Sequence, residues 1–280
     1  MRTIPAEQVT AAVRDLCISA NTELGADVLD AIAAAAETEE SAAGRDVLVQ
    51  LGENARIARE TGLPLCQDTG FAVFFVELGD GARVDGDGLV AAINAGVRAG
   101  YTDGYLRKSV VRDPFARQNT GDNTPAIVHL DMVPGDGLKI CFAPKGGGSE
   151  NMSRLAMLKP ADGRAGVRRF VVETVSLAGP NPCPPVVVGV GIGGTFEVAA
   201  QIAKRALLRP LGAPSADEET AALERDLLAE INDLGIGPQG FGGRTTALAV
   251  HVETHPCHIA SLPVAVNIQC HSARHKEVEL

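Results

Sequence analysis

The chain predicts an α/β fold of mixed, layered sheets with an N-terminal helical segment, and three observations carry that reading. Apolar residues in the first sixty positions recur at helical spacing. From Phe71 onward, short apolar runs of strand character appear. Helices and strands then mix without a clean βαβ repeat, which argues against a regular doubly wound sheet. The expected organisation is a helical segment over 1–60 and an α/β domain over 61–280, the two forming one structural unit.

The elements follow in order. Val9, Ala12, Val13, Leu16 and Cys17 mark a first helix, Val28, Leu29, Ile32 and Ala35 a second, and Val47, Leu48, Leu51, Ala55 and Ile57 a third. Thr61-Gly62-Leu63-Pro64 stops the third helix. Phe71-Ala72-Val73-Phe74-Phe75-Val76 is a buried strand, and residues 86–100 form a helix through Leu89, Val90, Ile93 and Val97. Residues 105–114 are a basic loop and 119–125 a turn-rich stretch. Residues 126–133 and 138–142 read as strands joined in a hairpin around Pro134-Gly135-Asp136-Gly137. The glycine run at 146–148 is expected to open a helix through Met152, Leu155 and Leu158. Helix over 166–177, strand over 184–190 and helices over 195–208 and 216–234 follow. Strands over 240–254 and 259–270 come last. Residues 210–217 are a surface loop or subdomain boundary, and Arg274-His275-Lys276-Glu277 reads as a polar tail.

Bulk composition excludes several functions. A chain of 280 residues with 45% hydrophobic and 21% charged residues is that of a globular protein, not a disordered one. Its 25 basic and 35 acidic residues leave a formal net charge of −10, which argues against a phosphate-backbone surface and so against nucleic acid as partner. With no Trp and two Tyr, a base-stacking platform is poorly supplied. No run approaches the roughly 18 apolar residues of a membrane span. The first residues lack the layout of a secretory signal, so a cytoplasmic location is expected. There the six cysteines are thiols or metal ligands rather than disulfides.

Cys17 on a helix face and Cys141 between Ile140 and Phe142 read as core residues. Cys66 lies in Pro64-Leu65-Cys66-Gln67-Asp68-Thr69-Gly70, where polar groups cluster at the mouth of a buried strand, a place suited to chemistry. Cys183 lies in Asn181-Pro182-Cys183-Pro184-Pro185, held by three prolines. Cys270 ends an apolar strand, and Cys257, in His255-Pro256-Cys257-His258, competes with it as a ligand. The separations of Cys66, Cys183 and Cys270 exceed those of zinc ribbons or ferredoxin runs, and from spacing alone three structural thiols are the simpler reading.

Gly189-Val190-Gly191-Ile192-Gly193-Gly194 has the dinucleotide pattern, but no second strand with an acidic residue follows. Close helix–strand packing is the better reading. Lys145-Gly146-Gly147-Gly148-Ser149 is not a P-loop, yet three glycines before a helix make an anion cradle. Arg107, Lys108 and Arg112 are a solvated face or a carboxylate clamp. Arg244, between glycines and threonines, is a second candidate clamp.

Taken together, Pro64 to Gly70, Lys145 to Asn151, Asn181 to Pro185, and His258 through Cys270-His271 resemble, in order, the iron–sulfur hydro-lyases of the class I fumarase and L(+)-tartrate dehydratase family. The likeness spans most of residues 60–275 and is to the α subunit, or the N-terminal domain of single-chain members. It implies that residues 61–280 are a cluster-binding catalytic domain carrying a 4Fe–4S cluster on Cys66, Cys183 and Cys270. It also implies substrate contacts from Gln67, Asp68, Arg107, Gly147 and His258.

Three thiolates leave one iron open as a Lewis acid for a hydroxyl. Dehydrating a 2-hydroxy dicarboxylate also needs acid/base groups, for which Asp68 and His258 are the candidates. The family's further C-terminal domain is absent, so a β subunit is the expected partner, with a small dicarboxylate as substrate and neither nucleic acid nor membrane. Fumarate/malate is the first expectation and L(+)-tartrate the second. A non-catalytic iron–sulfur or redox-sensing module and a dinucleotide-dependent oxidoreductase are readings from other classes.

Overall fold

A computed structural model describes residues 1–280. By contact the chain divides into two compact units, each assembled from separated segments. The first takes Met1–Leu24, Ala55–Gly147 and Arg274–Leu280; the second takes Gly25–Asn54 and Gly148–Ala273. No helix is long and apolar enough to cross a membrane.

The first unit is built around β2 (Phe71–Gly79), whose apolar run is buried on both faces and whose backbone groups are satisfied by a strand on each side. On one side lies β5 (Leu138–Lys145), antiparallel, with the terminal β10 (Lys276–Glu279) paired beyond it; on the other lies β4 (Ile127–Val133), parallel. The short β1 (Arg2–Ile4) and β3 (Ala82–Val84) make a separate parallel pair. Helix α1 (Ala6–Thr22) buries Val9, Val13, Leu16, Cys17 and Ala20, a stripe at helical spacing. It packs on α4 (Leu89–Asp103), and their faces close over Phe74, Val76, Ile140 and Phe142.

The second unit is three-layered. Its sheet runs β6 (Arg154–Leu158), β9 (Leu262–Gln269), β7 (Val186–Gly193), β8 (Ala247–His255). Only the β7–β8 pair is parallel. Val186, Val188 and Val190 of β7 face helices α6 (Gly163–Ala178) and α8 (Glu218–Asn232). Gly189 and Gly191, on the opposite face, lie beneath α7 (Phe196–Ala206): a Cβ on either would stand 2.1 Å from the carbonyl oxygen of Ala203 or Ala199. The dinucleotide-like glycines thus lie inside a strand and admit a helix at close range, which is the packing role the sequence favoured.

The fold is mixed α/β, as the patterning predicts, and α1, α2 (Ala26–Thr38) and α3 (Ala42–Thr61) fill the N-terminal stretch. Three local expectations are corrected. The predicted hairpin does not form, because β4 and β5 flank β2 instead of pairing. Their connection straddles the end of β2, with Gly79 N–H donating to Gly137 O and Gly81 N–H to Gly135 O. The helix expected through Met152, Leu155 and Leu158 is only α5 (Gly147–Glu150), followed by β6. Leu155 and Leu158 point to opposite faces of the sheet, Leu155 toward Ala199 and Ala203 and Leu158 toward the α6 and α8 core, and the segment pairs as a strand along the edge of β9. The polar tail is β10, held by register with β5.

Between α2 and α3, Glu39 is almost fully buried, at 2% exposure. Burial alone would raise its pKa, but N–H donors from Ser41, Arg244 and Thr245 outweigh that and bring it from 4.5 to about 2. Arg244 accordingly meets the chain's own carboxylates, its side chain reaching Asp233 at 3.1 Å.

Because the folded pKa is depressed, the stabilisation from Glu39 is present above its unfolded pKa and is lost as pH falls through the window from 4.5 to about 2. Denaturant unfolding against pH should therefore show Glu39→Gln destabilised by about 1–3 kcal/mol at neutral pH, with a flatter profile than wild type across that window. An unchanged slope would count against it. Gly191→Ala should cost about 1–3 kcal/mol through overpacking, read as a lowered denaturant midpoint with an unchanged m-value.

Candidate active site

In the first unit the Cys66–Gly70 turn delivers the chain into β2 and is bound from behind at every step. The Tyr101 hydroxyl donates to the carbonyls of Thr69 at 2.8 Å and Gly70 at 3.0 Å. Asn123 Nδ2 donates to Gly70 O, and Arg274 Nη2 donates to Asp68 O at 2.6 Å. Thr69 Oγ1 donates to Arg107 O, tying the turn to the basic loop. Tyr101, Asn123, Thr69 and Arg274 are all buried. Burial raises the Tyr101 phenol well above its ordinary pKa, which keeps it a proton donor. Gly70 is required by its backbone: φ is +78°, and a Cβ there would stand 2.7 Å from the Lys145 nitrogen.

Fixed this way, the turn presents Cys66, Gln67 and Asp68. The Asp68 amide lies 3.4 Å from Cys66 Sγ and donates to it. Asp68 Oδ1 accepts Gly70 N–H at 3.0 Å, while Oδ2 accepts Gly147 N–H at 2.8 Å. The expected anion cradle therefore already holds an anion, and it is the chain's own carboxylate. Gln67 and the Arg107 side chain are exposed.

In the second unit Cys183 and Cys270 share one end of the sheet. Cys183 sits in a left-handed conformation, φ +57°, between prolines just before β7, while Cys270 directly follows β9. The His271 amide donates to Cys183 O at 3.4 Å, and Nδ1 of the ring lies 3.1 Å from the same oxygen. Nδ1 also lies 3.2 Å from Gln239 Nε2, and Gln239 donates to Pro184 O at 2.7 Å through both its side-chain amide and its backbone N–H. Glu150 adds a further brace at this end, accepting from Lys204 and, at 2.9 Å, from Asn267 Nδ2.

Cys257 and His258 lie elsewhere. They follow β8, whose last residue His255 pairs with Gly193 at the far end of β7, whereas Gln269 pairs with Val187 at the near end. Val187 and Gly193 are six residue steps apart along β7, about 20 Å at roughly 3.3 Å per residue. Cys257 Sγ donates to Ser261 O at 3.4 Å, so this thiol is engaged within its own loop. His258 is exposed and borders a cavity of about 460 Å³ between the starts of α6 and α8. Its Nδ1 accepts Ala260 N–H at 3.1 Å, which puts the proton of the neutral ring on Nε2.

The six cysteines divide by environment. Cys17 and Cys141 are buried, and burial pushes the Cys17 thiol far above its ordinary pKa. Cys66, Cys183 and Cys270 are exposed or partly so. An N–H donated to sulfur at Cys66, and two cysteine loops tied together at Cys183 and Cys270, suit soft metal ligation. Neither unit by itself brings three metal-ligating side chains together. Tyr101, Asn123, Gln239 and Arg274 carry no sequence signal of a site, because they act through backbone carbonyls of residues distant in the chain. His271 did carry a signal, its adjacency to Cys270.

The fumarate hydratase (Fumerase) family model matches residues 10–279. A Methanocaldococcus jannaschii protein, provisionally named an L(+)-tartrate dehydratase subunit alpha, is 43% identical over 273 residues, covering 95% of each chain. L(+)-tartrate dehydratase α subunits of Escherichia coli and Shigella sonnei are each 34% identical over 271 residues, covering 95% of this chain and 89% of theirs. With a match from residue 10 to residue 279, the chain belongs to the fumarate hydratase (Fumerase) family.

Proposed function

We propose that this chain is the α subunit of an iron–sulfur hydro-lyase that reversibly dehydrates a 2-hydroxy dicarboxylate, with malate and fumarate as the first substrate pair. The observation that carries the reading is the turn at Cys66-Gln67-Asp68, where a reachable sulfur and a carboxylate are held together by the Asp68 amide. L(+)-tartrate is the second reading, favoured by the names of the relatives. A β subunit is the partner, as those α-subunit names indicate for the relatives, and the location is the cytoplasm.

Cys66, Cys183 and Cys270 would hold a 4Fe–4S cluster, which would supply Lewis acidity toward the departing hydroxyl. The remaining work falls to the chain itself. Arg107 and Gln67, exposed beside the turn, bind a substrate carboxylate through charge-assisted and neutral hydrogen bonds. Asp68 is an acid/base group whose two oxygens each accept one backbone N–H and keep a further lone pair for substrate. Gly147 serves the substrate site by aiming that carboxylate. His258, with its proton on Nε2, is the second acid/base group and a donor to substrate oxygen.

Anaerobic purification with the co-purifying subunit, followed by iron analysis and assays on malate, L-tartrate and citramalate, tests the reading. Cys66→Ser, Cys183→Ser and Cys270→Ser should each lose iron and visible absorbance, whereas Cys257→Ser should keep both. A protein that takes up no iron on reconstitution would falsify the assignment. Loss of iron in Cys257→Ser with retention in Cys270→Ser would replace the third ligand.

Asp68→Asn should lower kcat by about 100-fold or more while iron content stays at the wild-type level. If the iron is lost in step with activity, Asp68 is only a brace for the cysteine turn.

A further inference from the structure

Strand β4 ends the four-stranded sheet of the first unit, with β2 as its one strand neighbour. An open strand edge is a template for another strand, and proteins blunt it with lysine, proline or a bulge. Residues 127–133 contain none of these, and their pairing with β2 runs the full length without a register shift. Three of them are apolar and exposed: Ile127 at 43%, Leu130 at 46% and Met132 at 60%. A long, apolar edge of this kind calls for a cover.

We infer that the cover is β4 of a second copy of this chain, the two strands running antiparallel about a two-fold axis at Leu130. The segment Ile127-Val128-His129-Leu130-Asp131-Met132-Val133 has the same chemistry read from either end. A two-fold axis at its centre sets Ile127 against Val133 of the second copy, Val128 against Met132, His129 against Asp131, and Leu130 against its own equivalent. Paired positions differ by an even number, so each side chain meets its counterpart on the same face of the sheet. Val128, Leu130 and Met132 lie beside Phe74, Val76 and Leu78 of β2, on the face that α1 and α4 cover, and the second copy continues that apolar layer. On the other face Asp131 stands beside Glu77, a like charge, so an imidazole on its far side is favoured where a carboxylate would be repelled. His129 is held for that role by stacking on Phe75, with ring centroids 4.8 Å apart. The same two residues choose the register. An axis at residue 129 or 131 would set His129 or Asp131 against its own equivalent, and an axis between residues would put apolar side chains on the wrong face. Helix α4 flanks this edge: Asn94 Oδ1 accepts the N–H of Ala126, the residue before β4, at 2.9 Å, and Val90, one turn earlier, is 52% exposed. Apolar surface therefore continues beyond the strand. None of this depends on the iron or the substrate.

Two measurements on the anaerobically purified protein with its co-purifying subunit test this. In the first, a photo-crosslinking amino acid replaces Leu130, and isotopically heavy and light chains are assembled together. Crosslinks joining a heavy and a light β4 peptide are expected. Crosslinks confined to one copy, or made only to the other subunit, overturn the inference, as does an assembly that holds a single copy of this chain. In the second, light scattering follows the particle mass of Leu130→Lys, in which like charges meet across the axis. The mass should fall by about half, and Leu130→Glu should do the same. Mixing the two variants should restore the wild-type mass, because opposite charges then face each other, and that recovery separates a lost contact from a lost fold. A Leu130→Lys protein that keeps the wild-type mass, or a mixture that stays at half of it, overturns the inference.

Discussion

The Cys183 carbonyl accepts the backbone N–H of His271 while the His271 ring faces the same oxygen, and the candidate chemistry of the second unit depends on this contact. Residues 183 and 271 are 88 positions apart, yet this one acceptor holds the start of β7 against the end of β9. A carbonyl flanked by proline rings has few amide donors nearby, since proline carries none. A distant donor must supply them, and the residue after Cys270 does so. The outcome is that two sulfur-bearing loops keep a fixed relation through backbone geometry, which tolerates little movement.

In the first unit the same logic uses a carboxylate. Asp68 binds Gly70 and Gly147 through its two oxygens, and its own amide goes to Cys66 Sγ. A residue that looks from the sequence like a free acid is instead the point at which its own turn and the Gly147 segment are joined. Structure and reactivity therefore draw on the same atoms there. Buried donors from Tyr101, Asn123 and Arg274 complete the support, so the turn keeps its shape without a helix or sheet of its own.

Strand direction does the rest. Because β8 runs parallel to β7, whatever follows β8 emerges at the end of the sheet opposite to whatever precedes β7. Because β9 runs antiparallel to β7, whatever follows β9 returns to the near end. His258 and Cys270, twelve residues apart, are thereby sent to opposite ends, while Cys183 and Cys270, eighty-seven apart, are brought to one.

By itself the sequence determined the mixed α/β class, the N-terminal helices, the double-faced strand at Phe71 and the sorting of Cys17 and Cys141 into the core. It also marked the motifs at Cys66, Cys183 and Cys270 and the packing role of Gly189 and Gly191. These are local properties, set by apolar periodicity, turn chemistry and side-chain size. Other features were not legible in it: that β4 and β5 flank β2 rather than pair, that Met152 to Leu158 yields a strand, and that Glu39 is a buried anchor. Nor could it place Cys257 and His258 away from Cys270. Those were decided by tertiary structure alone, because strand partners, strand direction and the donors that satisfy a buried group come from residues far along the chain, and short-range spacing carries no record of them.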